Sequence, residues 1–145
     1  MQELKLQGLS DDALRWRLKD LAATERRIAA ALLLHLAEYD RRGLYVADGF
    51  AHLWGYCEKV LHLGANQIKL RIQAARAIRD NPRLSMMLER GETTVTSIGR
   101  LAPHLAAPGA GELIEQARNK TQLEVRSLVA GIDASLRDFI AAAKR

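Results

Sequence analysis

LHLGANQIKLRIQAARAIRDNP, Leu61 to Pro82, begins with a glycine-bearing turn and continues as an amphipathic helix. The residue before a proline disfavours helical backbone, so Asn81–Pro82 ends it. Advancing about 100° per residue places Ile68, Ile72, Ala75 and Ile78 on one side. Arg76, Lys69, Gln73 and Asn66 fall within about 80° of one another on another side. Just upstream, AHLWGYCEKVL (Ala51–Leu61) reads as a second helix with Leu53, Trp54, Cys57, Val60 and Leu61 apolar. Two helices joined by a tight turn, the second with a polar and basic face, follow the helix-turn-helix plan over about residues 50–80.

The residue types on that face suit a major groove. Arg and Lys donate to guanine O6 and N7, and Asn and Gln pair with adenine N6 and N7. Asn66, Lys69, Gln73 and Arg76 are therefore the expected base readers. Lys59, Arg79 and Arg83 lie at or beyond helix ends, where backbone phosphates pass. A surface helix that carries long polar side chains only to stay soluble would look similar. Charge placement bears on the choice. Residues 1–57 hold eight Lys/Arg and eight Asp/Glu, residues 58–83 six and two, and residues 84–145 eight and seven. Most of the net +5 thus lies in the helix-turn-helix, and a concentrated basic patch favours a polyanionic partner.

Outward from this segment the chain reads as helix throughout. Ser10 caps a helix whose first turn holds Asp11 and Asp12, where the helix dipole favours negative charge. Leu14, Leu18, Leu21, Ile28, Leu32 and Tyr39 fall on one stripe, with Glu25 and His35 in its gaps. Gly43, after Arg41 and Arg42, is the natural stop. A helix over about 11–41 would be about 45 Å long, whereas a compact domain of this length is roughly 38 Å across. Either the helix breaks near Ala22–Thr24 or its far end packs on a second subunit. Core within its own chain is the default for such a stripe, yet its length and continuity point to a second copy, and a homodimer is expected.

GLYVADGF (Gly43–Phe50) is a connector. RLSMMLERG gives a short helix closed by Gly91, and ETTVTSIGRLAPHL starts on threonine caps and is interrupted near Pro103. Helices follow at about 111–119 and 122–131, the latter opened by a Thr121/Glu124 capping box. DASLRDFIAAAKR forms a last amphipathic helix. No segment alternates like a strand. The expected fold is a single all-α, multi-helix domain over 1–145, with a long N-terminal helix, a helix-turn-helix and C-terminal helices at 83–145.

The run from Gly49 to Leu105 also resembles the helical N-terminal region of a bacterial family identified as HNH endonucleases. In that pattern a Tyr–Cys helix precedes a turn, an "RI.AAR" helix, a proline and "L..G...L..L..L.PHL". Tyr56, Cys57, Arg71, Ile72, Ala74, Ala75, Arg76, Pro82, Leu88, Gly91, Leu101, Pro103, His104 and Leu105 match it. The middle also resembles the helix-turn-helix of ParB-type partition proteins. Gly64 stands where the family usually has Ser or Thr, a weaker cap. The catalytic HNH module that members carry toward the C-terminus, with clustered His and Asn for a metal, has no counterpart here. The resemblance implies DNA binding without nuclease activity.

Other chemistry is sparse. His35, His52, His62 and His104 are scattered, and no Cys/His cluster or Gly-rich phosphate loop occurs. No acid/base pair stands out, so no catalytic residue, metal or cofactor is expected. Cys57 reads as a buried thiol suited to a reducing cytosol, Trp54 and Tyr56 as core, and Met86 and Met87 as core filler. MQELKLQGLSDD has no apolar run for a signal peptide, and IAAALLLHLA is too short to span a membrane. The expectation is a cytoplasmic, non-enzymatic protein that binds double-stranded DNA, a regulator or DNA-organising factor. The alternatives are an all-α protein–protein interaction module, or the DNA-binding part of a nuclease.

Overall fold

The computed structural model describes residues 5–144, so the first four residues of the stretch read for a signal peptide, and Arg145, lie outside it. The described residues form eight α-helices and two short 3-10 turns, with no strand. They are α1 (Asp11–Arg42), α2 (Leu44–Ala47), α3 (Leu53–Lys59), α4 (Ala65–Asp80), α5 (Arg83–Arg90), α6 (Val95–Leu101), α7 (Ala110–Ala117) and α8 (Gln122–Ala143), with 3-10 turns at Leu6–Gly8 and Ala102–His104. The all-α class follows from the helical periodicity of the chain.

Local signals fix most helix ends. The Ser10 hydroxyl accepts a hydrogen bond from the Ala13 amide at 3.1 Å. Gly43 and Gly91 close α1 and α5 in the left-handed conformation, with φ of 63° and 77°, which a side chain disfavours. Thr121 and Glu124 form the expected capping box. Two sequence boundaries are corrected. Residues 122–143 make one helix rather than two, because the single Gly131 carries no break signal strong enough to stop it. The connector at 43–50 contains the short α2.

α4 is the central element. α1 packs along one side of it and α6 along the other, α5 lies against α1, and α8 rests on α6. Ile68, Ile72, Ala75 and Ile78 are buried as the wheel predicts, and Ala74 and Ala77 extend the buried arc toward α6. The small residues let the two backbones approach: a Cβ built on Gly99 of α6 would sit 2.8 Å from Leu70 Cδ2.

α1 runs unbroken through Ala22–Thr24, and its core face differs from the predicted one. Ala30, Leu33, Leu36 and Ala37 are buried against the domain. The predicted stripe lies to one side of that face. Leu14, Leu18, Leu21 and Ile28 are 47%, 67%, 64% and 63% exposed. The C-terminal end of α1 is clamped to α3 by Tyr39, whose ring stacks on Tyr56 at 4.3 Å. Its hydroxyl donates to Asp48 at 2.6 Å, and burial together with that carboxylate raises its pKa. Arg41 and then Arg42 donate to Glu38 and hold its carboxyl down to about 2.

Candidate nucleic-acid interface

α3 and α4 meet through a turn whose bonds are closed locally. The Val60 amide donates to Tyr56 O at 2.9 Å and the Leu63 amide to Cys57 O at 3.1 Å. His62 takes the left-handed conformation, φ 57°, to reverse the chain. Gly64 is the N-cap of α4 and offers no side-chain acceptor, so the first amides of α4 are left to solvent or to a ligand.

Asn66 and Lys69 are exposed on α4 and Gln73 is half-buried beside them. They border a groove of about 540 Å³ between α4 and α6, whose other walls include Trp54, Arg100 and Pro103. A second groove of about 350 Å³ continues along α4 past Gln73 to Arg76 and Asp80. The polar arc of α4, from Arg76 round to Asn66, spans about 80°. An α-helix fits the width of a B-DNA major groove, and in helix-turn-helix proteins the first residues of the second helix reach the bases.

The remaining candidates point elsewhere. Arg76 donates from Nε to Asp40 Oδ2 at 3.0 Å and from Nη2 to Asp40 Oδ1 at 3.3 Å. Arg79 joins the same carboxylate at 3.3 Å. The Asp40 side chain, on α1, is only 8% exposed. Hydrogen bonding to Asp40 raises the Arg76 pKa although desolvation opposes it. Arg83 donates to Glu115 at 2.9 Å on the side of α5 that faces α7. Lys59 ends α3, exposed, with Glu58 at 3.9 Å.

Two residues absent from the expected set stand at the groove. Arg100 of α6 lines it while donating to Gln122 O at 3.3 Å. Trp54, read as core, is 40% exposed at the rim. Met86, read as core filler, is exposed as well, whereas Met87 is buried. A repeat of charge within α4 reveals its own face, but nothing in the linear sequence ties Arg100 to it. Cys57 is fully buried, and burial, then the nearby Asp40 charge, pushes its thiol pKa up, which keeps it unreactive.

Among the described residues no three His, Cys, Asp or Glu side chains converge as metal ligands, and no helix is long and apolar enough to cross a membrane. No protein family matches the chain, and neither does any curated protein or solved structure.

Proposed function

We propose that the chain binds double-stranded DNA through the N-terminal half of α4, as a cytoplasmic, homodimeric regulator or DNA-organising factor without catalytic activity. The observation that carries this reading is the polar Asn66–Lys69–Gln73 face of α4, the second of two helices joined by a tight turn, with Arg100 across the groove. Asn66, Lys69 and Gln73 face base edges. Arg100 and the amides of the first turn of α4 suit phosphate oxygens. The resemblance to the helical region of HNH endonucleases supports the same reading.

The experiment is a mobility shift on random-sequence duplex DNA over a salt series. Log affinity should fall linearly with log salt, by about 0.9 for each phosphate contacted. Absence of any shift at micromolar protein and low salt would overturn the proposal.

Asp40→Asn provides a sharper check. Asp40 holds Arg76 and Arg79 on the protein. Without its charge, one or both arginines can turn to phosphates. DNA affinity at low salt should then rise by roughly tenfold, and the salt slope should steepen by about 0.9 to 1.8. The fold should lose about 1 kcal/mol, since the arginines of the pair are substantially exposed. Unchanged affinity in a folded Asp40→Asn protein would mean that this end of α4 lies away from DNA.

The exposed apolar stripe of α1 favours a second reading, an interaction module for another protein. That reading needs α1 and is indifferent to Lys69. The DNA reading needs Lys69.

A further inference from the structure

The unpartnered face of α1 carries a continuous heptad. Leu14, Leu18, Leu21, Glu25, Ile28, Leu32, His35 and Tyr39 follow one another in alternating steps of four and three residues, the spacing of a two-helix seam. The apolar members of the N-terminal half, Leu14, Leu18, Leu21 and Ile28, are largely exposed among the described residues. The C-terminal half is different. There Leu32, His35, Leu36, Tyr39, Tyr56 and Leu61 line an apolar notch of about 140 Å³ beside the seam, near the roughly 150 Å³ that holds one benzene-sized group. One half of the helix thus offers knobs and the other half a hole.

We infer that two copies of this chain pair α1 against α1 in antiparallel order, with the two-fold axis beside Ala30. The inference gives a geometry to the homodimer of the preceding section and does not depend on DNA binding. In this register Ile28 faces the partner's Leu32, and Leu21 faces the partner's Tyr39 at the edge of the notch. Glu25 faces the partner's His35, so each polar member of one stripe meets a polar member of the other.

Charge selects this arrangement. A parallel pair sets Glu25 against the partner's Glu25 at a core position, a like-charge contact with a desolvation cost, and sets notch against notch. Sliding the antiparallel pair by one heptad one way puts Glu25 on the partner's Ile28 and His35 on the partner's Leu18. Sliding it the other way brings Glu25 to the partner's Arg42, already bound to Glu38 at 2.9 Å. That slide also carries Leu18 beyond the end of the partner's α1. The chosen register spans α1 from Leu18 to Arg42, about 37 Å at 1.5 Å per residue. With its flanking positions and the α3 residues at the notch, it approaches the roughly 20 residues a side of a standard interface.

Cysteine cross-linking tests the register, since the only native thiol, Cys57, is buried. E25C/H35C should form a covalent dimer on mild oxidation, and E25C or H35C alone should not. A disulfide needs Cα atoms within about 7 Å, whereas positions 25 and 35 are ten residues apart on one helix, about 15 Å. Cross-linking of E25C alone would overturn the antiparallel order and leave the dimer standing. A dimer by light scattering in which none of the three variants cross-links would place the contact elsewhere. A single mass at 16.1 kDa for the unaltered chain at high micromolar concentration would overturn the dimer itself. Leu21→Glu should weaken self-association by roughly 100-fold. Its melting curve at dilutions where both proteins are monomeric should be nearly unchanged, because Leu21 is mostly exposed within its own chain. DNA binding enters none of these readouts, so their failure is separate from failure of the DNA proposal.

Discussion

Gly99→Val should lower stability by about 3 kcal/mol and the melting temperature by roughly 10 °C. Gly99 is buried where α6 crosses α4. A Cβ there would meet Leu70 Cδ2 at 2.8 Å, and behind it the Leu70 carbonyl oxygen at 3.4 Å and Cα at 3.5 Å. The Leu70 side chain is half-exposed at the groove and can swing aside. Gly99→Ala should therefore be mild, a fraction of the valine effect. The two γ-carbons of valine meet the backbone of α4, which cannot swing, so α6 must move outward. That movement would separate Arg100 from Lys69 and Gln73 across the groove. Thermal melts of the two variants check the packing. A Gly99→Val protein that melts within about 3 °C of the parent would contradict the close approach of α4 and α6.

Lys69→Glu should weaken DNA binding by roughly 100-fold at low salt. Loss of one positive contact accounts for about tenfold, and repulsion of phosphate by the new carboxylate accounts for the remainder. Lys69 stands between Asn66 and Gln73 in the middle of the exposed face, and no side chain of the domain pairs with it among the described residues. Stability should therefore change by less than about 0.5 kcal/mol. Arg76→Ala should behave differently. It leaves the nearly buried Asp40 with Arg79 alone, so it should reduce stability far more than DNA binding. Measuring affinity and melting temperature for Lys69→Glu and Arg76→Ala together distinguishes a ligand-facing lysine from an arginine that braces α1. If Lys69→Glu binds DNA as the parent does, the α4 face is only solvated.

The helices and their ends were legible in the linear chain where one or two neighbouring residues settle the matter. Ser10 accepts a bond three residues away, Gly43 and Gly91 relieve a backbone conformation, and Thr121 and Glu124 satisfy each other's amides. The inner and outer faces of α4 were legible for the same reason, since its apolar and polar residues repeat with the helical period and its inner face meets only core. Less of the candidate site was legible. Asn66, Lys69 and Gln73 share one groove, but Arg76 and Arg79 are drawn to Asp40, which lies 36 and 39 positions earlier in the chain. Arg100 arrives from another helix altogether.

The all-helical chain, its main stops and starts, and the polar, basic face of α4 follow from the linear order of residues, because these depend on hydrogen bonds and periodicities within a few residues. Which side of α1 faces the core depends instead on contacts between helices. That helix has two adjacent apolar faces, the heptad of Leu14, Leu18 and Leu21 and the shorter face of Ala30, Leu33 and Ala37. Hydrophobicity alone favours the longer one. The small side chains of the shorter face let α1 settle closely on α4, with Asp40 bonded to Arg76 and Arg79, and the leucines are left outside.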